Sequence, residues 1–181
     1  LTSSGSAALH LALLALDVKR NDIVIAPSFT FAATINAISL VGAQPWLFDI
    51  SLKDWNLDIE KLEKELENKI RIDKRGNPSL KKISKKFSIP IIADSACGLG
   101  STIDKKPIGK VGADLSILSF NGNKTITSGG GGALVSNNMK LLKKAKYFGS
   151  NARSNLDYTF NEIGFNYRMN NIQAALGLAQ I

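Results

Sequence analysis

The sequence predicts an α/β domain on a mixed, mostly parallel sheet, with helices covering both faces. Short apolar runs at 22–26 (DIVIA), 45–48 (PWLF), 89–93 (IPIIA) and 115–120 (LSILSF) alternate along the chain with longer stretches of helical periodicity. These runs are apolar without strict alternation of polar residues, as strands buried on both faces are. With 181 residues, 44% of them hydrophobic, and 15 glycines, the chain can bury one sizeable core and make the tight turns such layering needs.

Each element has a local reason. Residues 6–16 read as a helix with Ser4 or Ser6 as N-cap. The strand at 22–26 stops at Pro27, and a helix follows over 30–40. After the strand at 45–48, residues 57–68 form a charged amphipathic helix in which Glu60 and Lys64 are spaced to pair. Residues 71–79, with Gly76 and Pro78, read as a loop before a helix over 80–87. Strands at 115–120 and 133–136 flank the glycine run 129–132. A helix over 139–148 is closed by Gly149, and another begins at Asn170 and runs to 180.

Composition removes several function classes. The longest apolar run, 7–16, is too short to span a bilayer, and no signal peptide is legible, so no membrane association is expected. One cysteine, Cys97, excludes an internal disulfide framework and points to a reducing cytoplasm. The net charge of +8 comes largely from lysines at helical spacing (61, 64, 81, 82, 85, 86, 140, 143, 144, 146) without interleaved aromatics. That pattern reads as solvated helix faces and not as a nucleic-acid surface, though the field favours an anionic substrate. Both ends read as cut: the chain opens inside a loop and closes within a helical pattern, as an interior piece of a longer protein would.

Ligands of open parallel sheets sit outside the carboxyl ends of the strands. Three features fall there: Asp94 after IPIIA, Ser119 closing LSILS with Lys124 five residues beyond, and the Ser3–Ser6 loop opening the first helix. Alone, each has a plain reading. A lysine in an Asn-Gly-Asn-Lys loop is ordinarily solvated, Asp after a strand is often a turn-former, and Ser-Ser-Gly-Ser is a common capping loop. Helix N-termini do, however, bind phosphate. Gly122-Asn123-Lys124-Thr125 is superficially similar to a nucleotide P-loop but lacks the upstream glycine and the Gly-Lys adjacency.

Together the segments match a family. Residues 119–124 (SFNGNK), followed by Gly129–Gly132, resemble the cofactor-lysine motif of the DegT/StrS family of pyridoxal-phosphate-dependent nucleotide-sugar aminotransferases. In the same order, 4–13 (SGSAALHLAL) looks like that family's phosphate-loop helix and 27–38 (PSFTF through NAI) like its second motif. Residues 93–101 (ADSACGLGS) look like its pyridine-nitrogen motif, and 164–169 (GFNYRM), continuing to Ala174-Ala175, like its late subunit-contact motif.

The resemblance implies the large domain of a fold-type-I enzyme over residues 1–181, partial, with the small C-terminal domain truncated. It implies pyridoxal 5'-phosphate as cofactor. Lys124 would bind it covalently and then act as general base for a 1,3-proton shift. Asp94 would pair with the protonated ring nitrogen, and Phe31 would stack on the ring, the alternative being a core phenylalanine. Gly5, Ser6 and Ser119 would hold the phosphate. Cys97 would lie near the phenolic oxygen, where many relatives carry Gln. Asn166 would reach the phosphate of a neighbouring subunit, making a homodimer with a shared active site. His10, the sole histidine, reads as part of a helix face.

By the same resemblance the substrates are an amino-acid donor, glutamate by preference, and a nucleotide-linked keto sugar. The wording of 119–124 and 162–168 is nearest the branch acting on UDP-linked 4-keto-6-deoxy sugars for surface glycans. Sugar dehydration is a rival, but dehydratase relatives carry histidine at the position of Lys124. A non-catalytic remnant is another, opposed by the presence of Lys124, Asp94 and Ser119 together. One departure stands out: relatives carry an extra strand where this chain has only 71–79, so a sheet strand is expected to be missing there.

Overall fold

A computed structural model describes residues 1–69, 80–103, 105–110, 112–154 and 158–181. The expected loop and missing strand at 71–79 lie outside the described residues. Helix α1 (Gly5–Ala15) leads to β1 (Ile23–Pro27), α2 (Ala32–Leu40) and β2 (Gln44–Phe48). Helices α3 (Ile59–Lys69) and α4 (Leu80–Phe87) precede β3 (Ile92–Asp94). Next come a small hairpin of β4 (Thr102–Ile103) and β5 (Lys106–Pro107) and a 3-10 turn at Ile108–Lys110. Strands β6 (Leu115–Ser119) and β7 (Gly132–Val135) and helices α5 (Met139–Phe148) and α6 (Asn171–Leu178) complete the order.

Strand pairing is mixed, as expected, but the described strands form three separate ladders (β1–β2, β3–β6–β7 and β4–β5) with as many antiparallel pairings as parallel ones. β1 pairs parallel with β2, and β3 pairs parallel with β6 with Asp94 opposite Ile117. β7 returns antiparallel to β6, with Ser119 opposite Gly132. Strand alternation sends neighbouring side chains to opposite faces, and two cores result. Val24 and Ala26 of β1 join the core built by α1, α2, α5 and β6, while Ile25 packs on the other, with Phe48, Leu62, Leu66 and Ile83. Helices therefore cover both faces of β1.

α1 is the hub. Its alanines and leucines favour helix, and its apolar residues occupy every side instead of one stripe, the mark of a helix enclosed by protein. Ala8, Leu9, Leu11, Ala12 and Leu13 are all buried. Burying each leucine stabilises the fold by roughly 1.5–3 kcal/mol. Ser4 is the N-cap, its hydroxyl accepting from the Ala7 N–H at 3.0 Å, so the choice between Ser4 and Ser6 falls on Ser4.

Several expectations shift in detail. Pro27 lies within β1, where its missing N–H costs nothing because the strand ends there. Gly149 caps α5 with right-handed φ −71°, so turn geometry does not demand a glycine. Close packing does: a Cβ there would stand 2.9 Å from Leu11 Cδ1. Among the described residues Glu60 and Lys64 form no ion pair. Instead Lys86 of α4 reaches Glu63 at 2.8 Å and Glu67 at 2.6 Å, tying two helices that the linear pattern could not place together.

His10 is 3% exposed and packs edge-on against Phe165, ring centroids 4.7 Å apart, with Nδ1 3.4 Å from the Tyr167 hydroxyl. Burial pushes its pKa below 6.5 because the charged ring loses hydration. The unfolded chain then binds more protons at low pH, so this contribution is intact above about pH 6.5 and is lost as pH falls below it. The thermal midpoint should drop between about pH 7.5 and pH 5.5, and His10→Gln should flatten that slope. An unchanged slope in the variant would place the acid sensitivity elsewhere.

Candidate active site

Parallel pairing of β3 with β6 brings the carboxyl ends of two strands side by side, and the Ser95 N–H donates to the Ile117 carbonyl at 3.0 Å just beyond the ladder. Asp94 is the last residue of β3 and is exposed. The chain then turns, Gly98 N–H donating to the Ser95 carbonyl at 2.8 Å, which carries Cys97 to the same edge. From the β6 side a turn in which Lys124 N–H donates to the Asn121 carbonyl at 3.0 Å brings back the lysine. Its Nζ donates to Cys97 Sγ at 2.9 Å. Sequence positions 94, 97 and 124 thus meet at one edge.

Both oxygens of Asp94 are engaged. Oδ1 accepts from the Ala96 N–H at 3.3 Å and Oδ2 from the Thr34 hydroxyl at 2.7 Å. A carboxylate offers about four acceptor positions, so capacity remains for a further donor arriving from solvent. Thr34 lies in the first turn of α2, whose N-cap is Phe31. Phe31 is 79% exposed, which excludes the core-phenylalanine alternative within the described residues. Its ring belongs to the same turn that grips Asp94.

The third part of the site is the N-terminus of α1. Ser4 satisfies Ala7 with its hydroxyl and Ala8 with its carbonyl. The parallel bridge between Ser4 and Gly131 turns the Gly5 N–H to the Gly131 carbonyl, while Ser6, next in the first turn, is exposed. Ser119, 7% exposed, closes β6 directly against this helix end. A Cβ on Gly5 would stand 3.0 Å from Ser119 Cβ, and one on Gly132 would stand 2.7 Å from Gly5 N. Glycine at both positions lets two backbones and a serine hydroxyl come together. The exposed Ser6 and the Ser119 hydroxyl, side by side at a positive helix end, form an anion seat.

The lysine loop is fastened at its far side. Ser128 N–H donates to the Phe120 carbonyl at 2.8 Å, and the Thr127 N–H donates to Gln180 Oε1 at 3.0 Å beyond α6. The sequence reading missed Gln180 and Thr34. Asn166 stands apart: it is exposed, bridges only to Ser150 in the ladder sense, and no described side-chain bond joins it to the Lys124 group. Its neighbour Tyr167 accepts from Ser3 N–H at 2.7 Å, which places the segment beside the α1 entry loop.

Residues 1–181 match the DegT/DnrJ/EryC1/StrS aminotransferase family. The chain belongs to this family. It is 38% identical over 188 residues to a GDP-perosamine synthase of Escherichia coli O157:H7, covering 99% of this chain and 51% of that enzyme. It is 38% identical over 193 residues to a UDP-4-amino-4,6-dideoxy-N-acetyl-beta-L-altrosamine transaminase of Campylobacter jejuni, covering 99% of this chain and 50% of that enzyme. Among solved structures, Helicobacter pylori PseC, an aminotransferase involved in pseudoaminic acid biosynthesis, superposes with TM-score 0.81 at 33% identity, over 99% of this chain and 51% of its own. The family chain described here spans about half the length of the curated relatives it matches. Its described residues take the α/β fold of fold-type-I aminotransferases. Among the described residues, no helix is long and apolar enough to cross a membrane.

Proposed function

We propose that this chain is the cofactor-binding part of a pyridoxal-phosphate-dependent enzyme that moves an amino group from an amino acid, glutamate in our reading, to a nucleotide-linked keto sugar. The carrying observation is the meeting of the Lys124 amine and the Asp94 carboxylate at one sheet edge that also holds the α1 anion seat. The residues fit the cofactor's chemistry. An amine, a carboxylate with spare acceptor capacity, an exposed aromatic ring and a helix N-terminus at Gly5 and Ser6 beside Ser119 match its aldehyde, ring nitrogen, ring face and phosphate.

When bound, pyridoxal phosphate supplies the electron sink that lets an amino group leave the donor. Lys124 would hold it covalently, and its freed amine would then carry a proton between the two carbons that flank the transferred nitrogen. Asp94 would keep the ring nitrogen protonated, Phe31 would fix the ring plane, and Cys97 would lie near the phenolic oxygen. The sugar is in our reading a UDP-linked 4-keto-6-deoxy sugar destined for a surface glycan, and the reaction is cytoplasmic. The relatives that act on GDP- and UDP-linked sugars support the nucleotide-sugar class. Lys124 argues against the dehydratase reading, and the convergent site argues against a non-catalytic remnant.

Assembly belongs to the proposal. α6 buries none of its residues and exposes Ile172, Leu176 and Leu178, an apolar surface suited to a second copy. Asn166, exposed nearby in sequence, would reach the partner's phosphate seat. Borohydride reduction of the cofactor-loaded protein, followed by peptide mass mapping, should find the pyridoxyl group on Lys124. Label on another lysine, or none in folded protein, overturns the assignment.

A further inference from the structure

Thr34 occupies a junction that no chemistry so far assigned to the site explains. Its hydroxyl donates to Asp94 Oδ2 at 2.7 Å, its N–H donates to the Phe31 carbonyl at 3.0 Å, and the Thr30 hydroxyl lies 3.2 Å from its own. An ionised carboxylate only accepts, so the Thr34 proton must point to Asp94 and the Thr30 proton must point to Thr34. The two hydroxyls therefore form a chain polarised toward the carboxylate, and such chains strengthen their terminal bond.

We infer that Thr34 is a positioning residue: its hydroxyl aims the Asp94 carboxylate at the ring nitrogen, and its backbone ties that aim to the plane set by Phe31. The inference rests on the pyridoxal-phosphate reading above. Asp94 is exposed, so a hydrogen bond to it competes with water and adds little to folding. What the bond does supply is direction. A free Asp94 side chain would sample several rotamers, whereas one held at both oxygens presents its remaining lone pairs on one side. One helical turn thus carries the ring-facing aromatic and the group that orients the carboxylate, so the two cannot drift independently.

The test uses the full chain loaded with pyridoxal phosphate, as wild type, Thr34→Val, Thr34→Ser, Thr30→Val and Asp94→Asn. Three readouts are taken: cofactor affinity, the pH titration of its visible absorption, and the single-turnover rate of amino transfer. Thr34→Val should retain the borohydride-reducible cofactor on Lys124 but slow transfer roughly tenfold, the loss expected of one hydrogen bond to a charged group. Its titration midpoint should move upward, in the direction of Asp94→Asn, because a poorly held ring nitrogen withdraws less charge from the atoms conjugated to it. Thr34→Ser should restore both, and Thr30→Val should show the same shift at smaller size. In the Asp94→Asn background, Thr34→Val should add nothing, since its effect passes through that carboxylate. A folded Thr34→Val protein with wild-type titration and rate overturns the inference, as does failure of Thr34→Ser to rescue. Wild-type protein without cofactor on Lys124 would instead overturn the proposed function, and this inference with it.

Discussion

Asp94→Asn protein should keep its cofactor and transfer amino groups about two to three orders of magnitude more slowly, the range seen when a preorganised electrostatic partner is lost. The amide is nearly the same size; its oxygen can still accept from the Ala96 N–H while its NH2 group donates to the Thr34 hydroxyl, so β3 and its turn should persist. The negative charge disappears, and the bond with Thr34 reverses direction. An uncharged partner does not hold the ring nitrogen protonated, and the cofactor's capacity as an electron sink falls. The measurement is a single-turnover half-reaction with the amino donor alone, beside a circular-dichroism melt. Wild-type rates with an intact fold would remove Asp94 from the chemistry.

The second large effect concerns two variants together. Lys124→Ala should lose at least about a thousandfold, since the residue both attaches the cofactor and moves the proton. Asn166→Ala should lose cofactor affinity and with it activity. In a two-fold dimer with shared sites, random pairing of equal amounts places half of the protein in hybrids, each with one site carrying both native residues. Activity should then rise to about a quarter of wild type per protomer. Dilution should weaken cofactor retention for the same reason, because separated subunits lose a phosphate ligand. Hybrids that demonstrably form and stay inactive would assign Asn166 to its own subunit or to no catalytic role.

Legibility in the sequence followed the range of the interactions concerned. α1, β6 and α5 were readable because capping residues and apolar runs are local signals, and their observed limits differ from the expected ones by a residue at most. β3 begins later than the apolar run at 89–93. Ile89 N–H is taken by the Ser84 carbonyl at the end of α4, and Ile91 N–H by Asp114 Oδ2. The β4–β5 hairpin was missed because two-residue strands around Lys105, at φ 61°, carry no periodicity. The direction of β7 was equally hidden, since pairing sense is decided by the tertiary path. Lys124, Asp94, Ser119 and Gly5 stood out through their segments. Thr34 did not, because a threonine early in a helix looks like any other until its partner, Asp94, arrives from far along the chain.

The spread of the site through the chain has a thermodynamic consequence. Gly5 sits on α1, Thr34 on α2, Asp94 on β3 and Lys124 in the β6–β7 connection, and α1 is itself buried among α2, α5 and β6. A ligand needing all four elements cannot bind a partly folded chain, so its binding energy belongs to the native state as a whole. At a hundredfold excess over its dissociation constant, such a ligand adds about 2.7 kcal/mol to global stability. The same linkage runs backward. A substitution that loosens the α1 core far from any reacting atom weakens retention of the cofactor, and the yellow colour of bound pyridoxal phosphate becomes a gauge of folding.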